Sequence, residues 1–505
     1  MKKERTAMSE IPCDAAVPEK NPVSSDASPD FDTASAGLLA VSAVTAAAYA
    51  FGHQLFGPFL PGIGLTVSHW ILVISALLYA RAKGRLQFRH RGPAILLLAL
   101  AVMLSACYGI FANNRLRWMN LPALSVMSCQ AVFSLTGQLN EENPLSFRGL
   151  RAGSRLLIPS LFMNWRVPLK ALTARSKKRR GTGAEVMLGL LIAIPVLTIA
   201  LMLLTGADSV FGSLLQSALS AFLSTDGSAI PKLILAFLLS LTLFSWLFCT
   251  GIPHEVTPRP VTAAQQLPVV TFGVVLALLD LVYAAFAAVQ VRYLLLGTES
   301  VRMAGGYAEY ARSGFFQLVI LAILTLLMIL PLLSALRHSR AIRTLCALTA
   351  LLTVAIDCSA FYRMHMYIGA YGLSFLRVLT LWAMAMILLA LAATMIKAVH
   401  PAVRICPVLA AILFTTWVAL NMLNVDRIVA EQQVARLNAG MTDQQTIIRL
   451  VGELSPDAIP AYGHILSETD RRAAETAVHT AFGPAAVRPD AYDWALTWNR
   501  AEPAE

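Results

Sequence analysis

Charge is scarce in this chain. Only 14% of its 505 residues are Asp, Glu, Lys or Arg, against about 25% in soluble globular domains. Acidic residues are thinner still along the middle of the chain and collect before Thr33 and after Asn424. A soluble enzyme or a nucleic-acid-binding domain is excluded by this balance. The formal net charge of +11 comes from Lys and Arg in short loops between apolar runs, where they set topology. Cysteine is limited to seven residues with no CxxC and no Cys/His spacing, which excludes a metal knuckle or redox pair and makes the cysteines small apolar side chains. No phosphate loop, nucleophile elbow, HExxH or paired-carboxylate motif is present, so no catalytic residue, metal or cofactor is assigned.

Apolar runs, in contrast, are abundant. Hydrophobic residues make up 57% of the chain and mean hydropathy is +0.64. Runs of about 17–23 residues match a hydrocarbon core about 30 Å thick. They fall near 36–56, 63–80, 93–112, 118–135, 186–204, 233–249, 267–289, 314–333, 342–361, 373–395 and 403–423. The fold expected is all-α, a polytopic integral membrane protein with about eleven transmembrane helices and a small helical C-terminal extramembrane domain. The divisions are 1–33, a disordered cytoplasmic tail; 34–136, four transmembrane helices; 137–183, a basic cytoplasmic segment; 184–423, seven transmembrane helices; and 424–505, the helical domain. "AYA" at 48–50 makes a poor signal-peptide site, because a long acid-bearing region precedes it.

Orientation follows from the loops. RAKGRLQFRHR (81–91), the segment ending in RSKKRR (175–180) and RHSRAIR (337–343) are basic, whereas 205–231 holds no Lys or Arg. The positive-inside rule places the N-terminus in the cytoplasm of an inner (plasma) membrane and, after an odd number of spans, the C-terminus outside. The stretch 151–173 is broken by Arg155, Asn164, Arg166 and Pro168 and suits an interfacial amphipathic segment with Trp165 at headgroup depth. Arg175, Lys177, Lys178, Arg179 and Arg180 form a candidate contact for anionic lipid. After Leu423, Thr442 and Gln445 are spaced as a capping box, Ile447, Ile448, Val451 and Leu454 form one apolar stripe, and Ser455 precedes Pro456 as a helix start. Trp494 and Trp498, four apart, close this domain's core or rest on the membrane.

Ionisable residues inside spans are functional candidates. Asp280 lies mid-span on a face shared with Tyr283, Ala287 and Gln290; Asp357 is placed late in the ninth span; and His69 is read as an interhelical hydrogen-bonding group. Loops assigned outside should be poor in Arg, yet Gln290, Arg292, Glu309, Tyr310, Arg312, Arg363, Tyr367, Tyr371 and Arg377 are all delivered to one leaflet by two connections, together with His365. Arg grips carboxylate and phosphate bidentately, so these residues form a candidate site for an anionic or lipid-headgroup ligand. Internal ion pairing of Glu309 is the structural alternative.

The blocks FAAVQVRYLLLG (286–297), GYAEYARSGFFQLV (306–319), SAFYRMHMYIGAYGLSFLRV (359–378), LNVDRIVAEQQVARLN (423–438) and LSPDAIP (454–460), with GADSVF (206–211) before them, resemble a bacterial membrane family. That family carries the domain of unknown function numbered 4173, related to 4153. The resemblance implies a membrane fold with a helical tail and implies no activity. The function expected is that of a bacterial inner-membrane protein binding a lipid or anionic envelope ligand in a sensing or accessory role. A secondary transporter and a membrane-embedded transferase on lipid-linked substrates are the alternatives, and a protein partner for the C-terminal domain is allowed by its exposed helices.

Overall fold

In the computed structural model the described residues are 32–52, 62–87, 90–139, 142–168, 229–252, 268–295, 315–336 and 338–486. They are all-α, with no strand among them. In chain order the helices are α1 Thr33–Gly52, α2 Ile63–Ala82, α3 Arg91–Ile110, α4 Asn114–Leu135, α5 Phe147–Phe162, α6 Ala229–Cys249, α7 Val269–Leu295, α8 Phe315–Ala335, α9 Arg340–Tyr371, α10 Phe375–Val399 and α11 Ile405–Met422. Then come α12 Val425–Asn438, α13 Gln444–Glu453, a 3-10 turn Pro456–Ala458, α14 Ile459–Tyr462 and α15 Glu468–Ala486. Seven of these, α2, α3 and α7–α11, are long and apolar enough to cross a membrane, and α1 and α6 contain shorter apolar helices. Residues 1–31 of the expected tail 1–33, the expected span 186–204, the basic cluster 175–180, and Trp494 and Trp498 lie outside the described residues, and Thr33 already begins α1.

Contacts at the helix ends sort the bundle into two ends. At one, Lys83 after α2 pairs with Asp32 before α1 (2.6 Å), and the Gln87 amide donates to Leu135 O at the close of α4. There too, Gln138 Nε2 donates to Cys249 O (2.9 Å) and Ile252 O (2.7 Å) at the close of α6, and Cys406 at the start of α11 lies on Leu145 O. At the other end, the Ala112 amide, between α3 and α4, donates to Asp457 (2.8 Å), and the Leu373 amide, between α9 and α10, donates to Gln432 of α12 (2.8 Å). The second end therefore carries the C-terminal helices. A helix's last carbonyls have no partner of their own, and here side chains from neighbouring elements supply it. Buried Arg117 serves Tyr108 O (2.8 Å) and Phe111 O (3.2 Å), and Gln138 serves α6.

Between the ends, packing is apolar with sparse hydrogen-bonded pins. His69 Nε2 meets Ser128 Oγ (2.8 Å), as an interhelical group should, and Trp70 Nε1 donates to Ser105 Oγ (2.9 Å). Asn120, Trp417 and Asn421 form a closed triangle between α4 and α11: Trp417 Nε1 to Asn120 (2.9 Å), Asn120 Nδ2 to Asn421 (2.7 Å), Asn421 Nδ2 to Trp417 O (2.9 Å). With Arg117, Asn120 and Gln130 all buried, α4 is far more polar than its neighbours, and it does not meet the length-and-hydropathy measure of a span. The amphipathic segment expected at 151–173 starts earlier, at Phe147. Ser146 caps it by accepting from the Gly149 amide (3.0 Å). Gly149, Gly153, Leu156 and Ser160 are buried against α4 and α6, while Phe147, Ile158 and Phe162 remain exposed, as an interfacial helix requires. Asn164 ends it, bonded to Ser245 of α6.

Two local expectations are corrected. The Thr442/Gln445 capping box does not form. Asp443 is the N-cap of α13, its carboxylate accepting from the Thr446 amide (3.1 Å), and a charged acceptor at a helix N-terminus outcompetes a hydroxyl one residue earlier. Ser455 does precede a turn beginning at Pro456, but its hydroxyl donates to Asp457 (3.2 Å) instead of capping. The cysteine reading also needs one exception: Cys358 is exposed, while Cys107, Cys129, Cys249 and Cys346 are buried and Cys406 is partly so.

Candidate functional site

The helices α7, α8 and α9 bury Asp280, Gln290, Thr325, Thr349, Thr353, Asp357, Ser359 and Arg363 within their apolar lengths. α9 is the longest, at 32 residues, or about 48 Å. It continues ten residues past Phe361, because nothing before Gly372 breaks it. Asp357 is therefore placed mid-helix and not late in the span. α9 presents Thr349, Thr353 and Asp357 at successive i+4 positions, all buried, so they line one face.

That face meets α7. Thr349 Oγ1 donates to Asp280 Oδ1 (2.6 Å), and Ser359 Oγ donates to Gln290 Oε1 (2.9 Å). Both rungs join residues 69 apart, so α7 and α9 run parallel in constant register. On that register Ala287 stands level with Ile356, and Ala288 with Asp357. Arg363 Nη2 also donates to Gln290 Oε1 (3.0 Å). From α8, the Thr325 hydroxyl shares a hydrogen bond with the Tyr283 hydroxyl (2.8 Å).

Asp357 stands apart from its neighbours. It is 1% exposed, and among the described residues neither of its carboxyl oxygens has a hydrogen-bond partner; Asp280 Oδ2 is likewise without one among them. Helices α7, α8, α9 and α10 together bury an apolar cluster of Tyr283, Leu318, Ile356, Ala360, Met364 and Met384. Buried polar atoms in folded proteins are nearly always bonded, and an uncompensated charge in hydrocarbon is costly. No group of three His, Cys, Asp or Glu that could hold a metal occurs among the described residues.

The residues expected to gather at one leaflet do so only in part. Tyr367, Tyr371 and Arg377 meet at the close of α9. Arg377 lies over the Tyr367 ring, 4.2 Å from its centre, and donates to Tyr371 O (3.3 Å) and Gly372 O. Arg436 of α12 donates to Gly369 O (2.8 Å) and Ala370 O (2.7 Å), and Gln433 to Tyr371 O (3.0 Å) and Leu373 O (2.8 Å). These cations complete the C-terminus of α9, where positive charge is favoured. Arg363 lies deeper, inside the bundle. Glu309, Tyr310, Arg312 and the side chain of Arg292 lie outside the described residues. Sequence reasoning missed Arg436, Gln432 and Gln433, whose role depends on α12 folding back over the α9–α10 connection.

A second buried acidic pair joins the C-terminal helices to the α3–α4 connection. Asp457 receives the Ala112 amide, and Asp426 receives the Ser455 amide (3.0 Å). Burial raises the Asp426 pKa above the usual carboxylate value, opposed by its hydrogen bonds to Ser455 and the nearby Arg115 charge. Burial likewise raises the Tyr462 phenol, with Asp426 adding to it.

Comparison with known proteins finds a family. The family model described as "Domain of unknown function (DUF4153)" covers residues 98–465, the related domain of the pair that the sequence blocks suggested. No curated protein and no solved structure matches the chain.

Proposed function

From the premise that the chain belongs to the DUF4153 family, we propose that it is a proton-coupled secondary transporter built around α7 and α9. The observation that supports this most is Asp357, a buried carboxyl of the α7–α10 helix cluster with neither oxygen partnered among the described residues. Such a group carries a proton while the cluster is closed and releases it only when a rearrangement brings water or a cation to it. Thr349, Thr353 and Asp280 extend the stripe toward the Arg340 end, and Gln290, Ser359 and Arg363 extend it toward the α12 end. Together they span about 21 Å along α9, most of a hydrocarbon core.

We read the bundle as eleven crossings in a bacterial inner membrane, with the N-terminus cytoplasmic and the C-terminal helices outside. The alternation of ends among the described helices supports this. Arg175, Lys177, Lys178, Arg179 and Arg180 would meet anionic lipid on the inner side. A second reading, a binding site for a lipid headgroup or other anion at the α12 end, draws on the gathering of Tyr367, Tyr371 and Arg377. It is weaker because Arg377 and Arg436 already serve α9 carbonyls.

The test is proton movement in proteoliposomes under an imposed pH gradient and potential, together with carbodiimide labelling of Asp357 in the intact membrane protein. The wild type is expected to move protons and label at Asp357. Asp357→Asn should abolish both with an unchanged melting temperature. Flux that persists in Asp357→Asn, or a wild type that neither labels nor conducts, sinks the proposal.

A further inference from the structure

Helix α5 lies along one end of the bundle at nearly constant depth. Near its start, Leu150 O accepts from Gln130 Nε2 (3.1 Å), five residues before α4 closes at Leu135. Near its finish, Ser160 O accepts from Ser245 Oγ (2.7 Å), four residues before α6 closes at Cys249. Gln138 ties those two helix ends together. Both contacts therefore sit about 6–8 Å inside the same end of the bundle, the depth at which an amphipathic helix rests between headgroups and acyl chains. Buried Gly149, Gly153, Leu156 and Ser160 face inward. The opposite face carries Arg148, Arg151, Arg155, Ile158 and Phe162, all exposed. Their spacing of three, four, three and four makes them one stripe. Its first half is cationic and its second half apolar.

We propose that this stripe binds an anionic phospholipid, its phosphate held by Arg151 and Arg155 with Arg148 alongside, and its acyl region packed on Ile158 and Phe162. Charge is the first argument. Like charges three and four apart on a helix repel, and three cations stand here in succession. Among the described residues Arg151 and Arg155 make no ion pair, and Arg148 has a loose one with Glu142 (3.7 Å) that leaves its side chain 82% exposed. The sequence has no Asp or Glu between Glu142 and Glu185, and Asp32, at the same end, is held by Lys83 (2.6 Å). A compensating anion thus comes from outside the chain. Geometry is the second argument. Side chains three or four apart start about 5–6 Å from each other, so two guanidinium forks converge on one phosphate, which suits their bidentate grip. Length is the third. Arginine's stem carries its head out to the phosphates, while the shorter Ile158 and Phe162 stay among acyl carbons at the same helix depth. Phe162 also meets Trp165 ring to ring (5.3 Å between centres), and Trp settles at bilayer interfaces. The site involves neither Asp357 nor proton movement, so it stands apart from the transport reading.

The experiment is a lipid titration of the full-length protein in detergent, read by native mass spectrometry. Dioleoyl phosphatidylglycerol is the probe and dioleoyl phosphatidylcholine the comparison without net charge. The wild type is expected to retain phosphatidylglycerol in preference. Arg151→Gln/Arg155→Gln should weaken phosphatidylglycerol binding about thirtyfold, about fivefold for each cation at a bilayer surface, with little change for phosphatidylcholine. With Arg175, Lys177, Lys178, Arg179 and Arg180 all changed to Gln, that thirtyfold effect should persist. Arg151 and Arg155 are exposed, so the variant should melt with the wild type when no lipid is added. If the pair unfolds, the two single variants are read, each expected at about fivefold. Ile158→Ser/Phe162→Ser should weaken both lipids alike. Equal binding of the two lipids by the wild type, or unchanged phosphatidylglycerol affinity in Arg151→Gln/Arg155→Gln, would overturn the proposal. Displacement of the lipid by equimolar soluble glycerophosphoglycerol would overturn it too, because the ligand would then be a free anion and not a lipid.

Discussion

Replacing Gly372 with alanine probes how firmly the C-terminal helices hold α9. Gly372 ends α9 with φ 73° and ψ −174°, a conformation essentially reserved for glycine, and an alanine forced into it costs about 1–3 kcal/mol. Its Cβ would also stand 2.3 Å from Gln433 Nε2. Gln433 is buried and its amide bonds both Tyr371 O and Leu373 O, so moving it away forfeits two hydrogen bonds at about 1 kcal/mol each. Together Gly372→Ala should cost about 3–5 kcal/mol. Gln433→Ala alone loses the same two bonds, about 2 kcal/mol. In the double variant the collision is gone and the bonds are lost only once, so its cost should fall short of the sum by about 2 kcal/mol. Thermal unfolding of the detergent-purified protein measures all three variants, and hydrogen exchange in α12 locates the loss. A Gly372→Ala protein with unchanged melting and unchanged α12 exchange, or strict additivity in the double variant, would refute this account of the clamp.

Burial raises the Asp426 pKa, so its contribution to docking is complete below the ordinary value of 3.8 and is lost as pH rises through the raised value. Proteolysis of α12–α15 should therefore accelerate with rising pH across that window, and Asp426→Asn should flatten the profile; an unchanged slope counts against it. Gly149→Ala places a Cβ 2.0 Å from the Asn143 carbonyl. Because backbone cannot yield as a side-chain tip can, α5 should loosen at a cost of about 1–3 kcal/mol. Gly37→Ala, with nothing within 4 Å, should instead gain about 0.5–1 kcal/mol; equal melting of the two variants would contradict both. Asn120→Ala removes two bonds of the Asn120–Trp417–Asn421 triangle and should cost about 1–2 kcal/mol in a detergent unfolding titration, given the modest value of such bonds between membrane helices. Asn421→Ala should add little to it, and full additivity would show that the triangle is not one unit.

The membrane character of the chain was legible without any structure. Apolar runs of bilayer length report directly on the solvent they were selected for, and the long helices α2, α3 and α7–α11 fall where those runs lie. The stripe Asp280–Tyr283–Gln290 was legible too, because helical periodicity alone places these residues on one face. Elsewhere one-residue competition defeated pattern reading: Asp443 took the cap that Thr442 was expected to hold, and α9 ran on through ten residues whose polarity suggested an ending. What only the tertiary structure decided is which groups meet. The 69-residue register that sets Thr349 on Asp280 and Ser359 on Gln290, and the burial of Asp357 beside them, depend on how two helices far apart in sequence lie side by side. The same holds for Arg377, which sequence offers as a ligand-binding cation and the fold spends on the open carbonyls of α9. Local composition sets each helix and its solvent, while the partners of a buried charge are chosen by packing across the whole chain.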